Sequence, residues 1–440
     1  MSDFNGPALN KEIARLTFPN IISNITIPLM GMADVAIAGH VGGDVAIGGL
    51  TIGTTIFNMI YWNCSFLRMA GSGVTAQNFG AKRHDECAAT LIRIVSIALA
   101  ISILLIAFRS PICNLSLDFI GGTQGSSLSA RQYVMARFWA VPASVTLFAL
   151  TGWLIGMQCP HIPMLVAIAC NLVNVSVSYF LAVNKGLGIE GVAWGTVVAQ
   201  YFGLLLTLSL IVMRFRRVIA CASRNAVLRR NEIAKLLNVN RDIFLRTLCL
   251  VAVFTSFTSF SASFGEQALA ANALILQFFT LFSYMTDGLA YAAESLIGRL
   301  LGEGNHALLR LAVRRITFAG FLTATLYTLA FTFGWSTIFT WFSPSPSTID
   351  AAGECIGWAI AIPFCCFFAF IADGVMIGAT QGTAMRNTMA ASTLLFFATF
   401  FLLRPVLGVN ALWLAFTIYM VARGVHLLPS VLTLCNGKVK

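Results

Sequence analysis

Apolar runs long enough to cross a bilayer recur from one end of the chain to the other, and this recurrence constrains the fold more than any other feature. A spanning helix takes about 20 predominantly apolar residues. Such runs cover Ile13–Ala38, Val45–Met69, Leu91–Phe108, Tyr133–Gly156, Pro163–Val183 and Val192–Met213. After a polar stretch come Ile243–Ser263, Ala268–Ile297, Ile316–Phe342, Ile356–Gly378, Met389–Leu403 and Leu407–Leu434, the eleventh reading as short. Only 10% of the 440 residues are charged and 58% are hydrophobic, whereas a soluble domain carries about 25% charged residues. A soluble enzyme and a single-anchor receptor are therefore excluded. The alternating ten-residue strands of a transmembrane barrel do not appear either, so the expectation is an all-α polytopic membrane protein with twelve transmembrane helices. The first run passes Pro28 without a small-residue cleavage site, so it reads as a span that stays on the mature protein.

Cations set the expected orientation. Arg214, Arg216, Arg217, Arg224, Arg229, Arg230, Lys235 and Arg241 crowd the stretch between the sixth and seventh runs, which the positive-inside rule assigns to the cytoplasm. An even number of runs precedes it, so both termini, with Lys11 and Arg15 at one end and Lys438 and Lys440 at the other, are expected inside. The expected division is an N-terminal lobe at 1–213, a basic cytoplasmic linker at 214–241 and a C-terminal lobe at 242–440. The net charge of +11 is dispersed over helix ends without a nucleic-acid motif, so no nucleic-acid partner is expected. The 11 cysteines form no C-x-x-C pair and sit mostly in apolar runs, pointing to neither zinc nor a disulfide framework.

The halves repeat one another. Gln77-Asn-Phe-Gly80-Ala-Lys-Arg-His84 resembles Arg299-Leu-Leu-Gly302-Glu-Gly-Asn-His306, and Trp153-Leu-Ile-Gly156 resembles Val375-Met-Ile-Gly378 at the same offset. A repeat of six spans preserves orientation, so two six-helix lobes related by a pseudo-two-fold axis along the membrane normal are expected, the plan of one class of secondary transporters.

Ionisable groups inside a span are costly and read as functional by default. Asp34 lies late in the first run with no cation in that run, which suits it to bind and release a coupling proton; the alternative is a helix cap or a water-filled vestibule. Pro19 and Pro28 can kink the same helix. Asp287, Tyr291 and Glu294 share one face of the eighth run, suggesting a cation or substrate contact, with pairing to Arg246 or Arg299 as the alternative. Asp373 in the tenth run has the same two readings. Asn171, Asn174 and Ser178 recur at helical spacing in the fifth, as coupling groups or as packing glue. The 35 phenylalanines, Phe278, Phe279 and Phe282 among them, could line a site for organic cations or simply fill the core. No nucleophile elbow, phosphate-binding loop or H-E-x-x-H motif occurs, so the chain is expected not to be an enzyme and to need no cofactor or metal.

Taken in order, Ser23-Asn-Ile-Thr-Ile-Pro28-Leu, Ala33-Asp34, Ala38-Gly39-His40, Thr75-Ala-Gln77-Asn-Phe-Gly80, Gly152-Trp-Leu-Ile-Gly156, Asp287-Gly-Leu-Ala-Tyr291, Asp373-Gly-Val-Met-Ile-Gly378 and Ala411-Leu-Trp-Leu-Ala415 resemble the multidrug and toxic compound extrusion (MATE) family, in its DinF-like branch, over the whole chain. The resemblance implies a monomeric, multi-pass inner-membrane antiporter that exports cationic or amphipathic organic compounds in exchange for protons, or for sodium, by alternating access. It implies Asp34 as the proton carrier with Asn174 and Thr196 as polar partners. Where the family commonly has a second acid in the fifth helix, this chain has Ser178. That reduces the acid pair to one and favours protons over sodium. Asp373 matches an acid of the C-lobe cation site in sodium-coupled relatives. A lipid-linked precursor flippase is the rival within the same two-lobed plan and calls for a cationic cleft.

Overall fold

The structure is a computed structural model that describes residues 6–342 and 346–437; Lys438 and Lys440, expected in a cytoplasmic tail, lie outside them. All regular elements among the described residues are helices, because within lipid each backbone N–H and C=O must be satisfied inside its own segment. Eleven continuous stretches are long and apolar enough to span a membrane. The first of these, Ala8–Gly80, is broken at Gly43 (φ 56°, ψ −146°), a left-handed conformation that glycine adopts without a Cβ penalty, and so contributes two spans. The fold is thus an all-α polytopic one with twelve transmembrane helices.

The chain divides into two compact units. One comprises residues 22–236. It contains most of α1 (Gly6–Cys64), then α2 (Phe66–Gly80), α3 (His84–Ala107), α4 (Arg109–Ile120), α5 (Gln124–Arg137), α6 (Val141–Gly156), α7 (His161–Tyr179), α8 (Gly188–Ile219) and the short α9 (Arg224–Val227). The other comprises residues 1–21 and 237–440. It takes the start of α1 and most of α10 (Arg230–Ala262), then α11 (Glu266–Gly302), α12 (His306–Phe342), α13 (Pro346–Glu354), α14 (Ile356–Gly378), α15 (Gly382–Leu407) and α16 (Val409–Cys435). The start of α1 is fastened there by Glu12, which pairs with Arg299 at 2.7 Å.

The repeat seen in sequence is a repeat of backbone. In the first unit α2 packs on α6 so closely that a Cβ at Gly152 would lie 2.2 Å from the Arg68 carbonyl oxygen. In the second α11 packs on α14 the same way, a Cβ at Gly374 lying 2.3 Å from the Ala290 carbonyl oxygen. Small residues on successive turns let membrane helices approach until backbones touch. The turns that follow also match: Gln158 (φ 61°) ends the first α-helical pair as Thr380 (φ 56°) ends the second, and Lys82 (φ 58°) corresponds to Gly304 (φ 70°).

One expectation changes. The eleventh span is not short: α15 runs for 26 residues from Gly382. Its polar first turn is held by Asp242, which accepts from Thr383 at 2.7 Å and from Arg386 at 2.8 Å, so tertiary pairing extends the helix beyond its apolar part. The basic stretch 214–241 is also mostly helix, as the end of α8 and the start of α10. Between them, α9 is capped by Ser223 and its last carbonyls accept from Arg93, whose guanidinium shares the fully buried Glu86 with Arg229. The phenylalanines at 278, 279 and 282 are buried and packed; Phe278, for instance, lies 5.0 Å from Phe331 and 5.1 Å from Phe339.

Candidate functional site

The polar centre of the first unit gathers on three elements. Asp34, 5% exposed, comes from the first span of α1. Asn174 on α7 is hydrogen-bonded to its carboxyl. The Asn174 amide also donates to Thr196 Oγ1 on α8 at 3.0 Å, and Thr196 donates in turn to the Val192 carbonyl at 3.2 Å. Ser178 reaches the same carbonyl from α7 at 3.3 Å. It is wholly buried against the Gly195 backbone, where an added Cβ would lie 2.1 Å from Ser178 Oγ. Asn171, one turn earlier on α7, donates to the Thr26 carbonyl at 2.8 Å and so ties α7 to α1 beside Pro28. Asp34 Oδ1 and Asn174 Oδ1 are both buried without a hydrogen-bond partner among the described residues. Both oxygens are acceptors while the carboxyl is ionised, and protonation would turn the carboxyl into a donor.

A buried cation lies elsewhere in the same unit. Pro142 has no N–H to continue the ladder, and the chain between α5 and α6 tightens into a 3₁₀ turn, Phe138–Ala140, closed by the Val141 N–H on the Phe138 carbonyl. The last residue of α5 before that turn is Arg137, 7% exposed. Its guanidinium donates to Tyr133 Oη and lies 4.8 Å from the Phe57 ring centroid.

The second unit treats its acids differently. Asp373 on α14 accepts on Oδ2 from Arg246 of α10 and, at 2.6 Å, from Arg423 of α16. All three side chains are buried. Arg423 further lies between Phe370 and Tyr419, 5.7 and 5.5 Å from their centroids. The cluster carries one acid and two cations. Along α11, Asp287 and Tyr291 are half-buried and Glu294 is fully buried, on the shared face their spacing implies.

The sequence reading placed Asp34, Asn174 and Thr196 together, and they meet; it set Ser178 beside them, and Ser178 joins through the Val192 carbonyl. Arg246 was weighed as a partner for an acid and holds Asp373. Arg137 and Arg423 went unremarked. The available signal was the same as for the acids, since a cation inside an apolar span is equally costly.

Comparison with known proteins gives these clusters their context. A family profile, MatE, matches residues 19–180 and 243–403. DNA damage-inducible protein F of Escherichia coli strain K12 is 32% identical over 420 residues, covering 95% of this chain and 91% of that protein. Protein DETOXIFICATION 44, chloroplastic, of Arabidopsis thaliana is 23% identical over 439 residues, covering 94% of this chain and 81% of that one. Among solved structures, a MOP superfamily transporter from Pyrococcus furiosus superposes with a TM-score of 0.88 at 18% identity, over 98% of this chain and 97% of the other. The profile covers most of both repeats, and the chain belongs to the MatE family of multidrug and toxic compound extrusion transporters.

Proposed function

We propose that this protein exports cationic or amphipathic organic compounds across the inner membrane in exchange for protons, with both termini in the cytoplasm and Asp34 as the proton carrier. The observation that carries this reading is the setting of Asp34: a buried carboxyl with one oxygen that has no hydrogen-bond partner among the described residues. A carboxyl so placed is satisfied when protonated and seeks a cation when ionised, which is the alternation an antiporter needs. Thr196 fixes the Asn174 amide, and Ser178 contributes packing at the α7–α8 contact. Asp287, Tyr291 and Glu294 supply the polar face on the C-terminal side. Asp373 we assign to holding Arg246 and Arg423 rather than to contacting a transported cation, because its charge is already exceeded by theirs.

One observation favours a second reading. Arg137, Arg246 and Arg423 are the kind of buried cations that a carrier of phosphate-bearing lipid precursors requires. The test uses proteoliposomes loaded with rhodamine 6G, a fluorescent lipophilic cation, under an imposed pH gradient with and without a sodium gradient. Proton-driven efflux by the native protein, lost in a folded Asp34→Asn variant, is the expected result. Retained efflux in that variant removes Asp34 from coupling, efflux driven by sodium alone replaces the ion, and no efflux under either gradient moves the assignment to the lipid-precursor reading.

A further inference from the structure

We infer that the basic connection between α8 and α10 binds the headgroup of an acidic phospholipid, whose acyl chains lie along the exposed apolar end of α8. Residues 214–231 carry Arg214, Arg216, Arg217, Arg224, Arg229 and Arg230 and no acid. One of these cations is used inside the unit, where Arg229 pairs with the buried Glu86 at 2.7 Å. The other five are exposed, and their side chains make no ion pair or hydrogen bond among the described residues.

The segment that bears them has a fixed shape. α8 leaves helical geometry at Phe215 (φ −119°, ψ 20°), whose ring meets the buried Trp153 nearly at right angles, 5.1 Å between centroids. Ser223 then caps α9, and Arg93 of α3 draws α9 inward through the Ala226 carbonyl and, at 3.0 Å, the Val227 carbonyl. Glu86 accepts from Arg93 at 3.1 Å as well as from Arg229, which fastens the segment on both sides of α9.

Depth decides what the exposed arginines meet. Arg93 is the third residue of the apolar run that opens at Leu91, so α9 is held near the level where α3 enters the hydrocarbon. Ile92, Val212, Met213 and Leu228 are exposed apolar side chains on the same stretches. Arginines mixed with bare apolar side chains at this level suit a phospholipid: a guanidinium fork matches its phosphate, and its chains cover the apolar groups. Nucleic acid fits less well, because stacking needs exposed rings, and Phe215, the sole aromatic residue from 214 to 231, packs on Trp153. In the proposed topology the lipid belongs to the cytoplasmic leaflet.

The experiment is native mass spectrometry of the purified protein, stripped of lipid and titrated in detergent with phosphatidylglycerol or phosphatidylcholine. The native protein should bind phosphatidylglycerol about tenfold more tightly or better. Combining Arg214→Gln, Arg216→Gln, Arg217→Gln and Arg224→Gln should abolish that preference, each arginine at a membrane surface being worth about fivefold. Arg131→Gln, an exposed cation at the other end of the spans, should leave it unchanged. Asn225→Glu, which sets an acid on an exposed position beside Arg224, should weaken phosphatidylglycerol about fivefold and serves if the fourfold variant does not insert. A preference that persists in the fourfold variant, or in Asn225→Glu when that is the variant obtained, overturns the inference. So does equal binding of the two lipids by the native protein, or a loss of the same size in Arg131→Gln. Tighter binding of a single-stranded DNA oligonucleotide than of phosphatidylglycerol overturns it in favour of a nucleic-acid surface.

Discussion

Asp34 and Asp373 are both aspartates buried in spans, one in each unit, and they are used in opposite ways. Asp373 receives two guanidiniums on one oxygen and is fully committed to structure. Asp34 is hydrogen-bonded to Asn174 and keeps an oxygen without a partner among the described residues. Burial alone does not mark a functional acid. What distinguishes the two is whether the surroundings already supply what the ionised form needs, because a carboxylate locked between two arginines has no use for a proton.

That contrast can be broken most forcefully by removing the charge from each acid. Asp373→Asn leaves Arg246 and Arg423 buried without their acid and should cost about 3–5 kcal/mol, read as a marked fall in melting temperature in detergent. Asp34→Asn should cost under about 1 kcal/mol while abolishing proton-driven efflux, since the amide replaces a group that is itself incompletely bonded. Equal losses of stability would show that the two acids are not differently employed. A smaller effect is expected from Ser178→Asp. The added atoms press on the Gly195 backbone, so a loss of about 1–3 kcal/mol should accompany any change in ion dependence, and an unperturbed melting temperature would mean the α7–α8 contact gives way more easily than its geometry indicates. Thr196→Val should do least: it removes the acceptor of the Asn174 amide, costs about 1 kcal/mol and changes the pH profile only slightly. A shift of about one pH unit would instead make the threonine a main influence on the carboxyl.

The twelve spans were legible because apolar length is a local property, and so was the repeat, whose glycines mark places where backbones touch. Helix ends were less so. The first turn of α15 and the basic ends of α8 and α10 are polar, and their helical state follows from partners such as Asp242 that lie far away in sequence. The acid side of the site could be read for the same reason as the spans: Asp34, Asn174 and Thr196 interrupt apolar runs. Arg137 stands near the start of its run and reads as an interfacial cation until Pro142 and the turn before it place the residue inside the unit. Whether Arg423 was a liability or a partner depended on Asp373, 50 residues earlier, a relation that no local pattern encodes.

The paired turns at Lys82 and Gly304 hold one further consequence. Both residues sit in the left-handed region, where a residue bearing a Cβ is less stable by about 1–2 kcal/mol than in the right-handed one, and only the second half of the chain has glycine there. Lys82 and its neighbour Arg83 belong to a turn that the proposed topology places in the cytoplasm, the side that collects cations. The lysine is in that case an address label written on an awkward joint: the first copy of the repeat bears local strain where it displays a charge on the cytoplasmic side, and the second copy, with glycine at the same place, is relaxed.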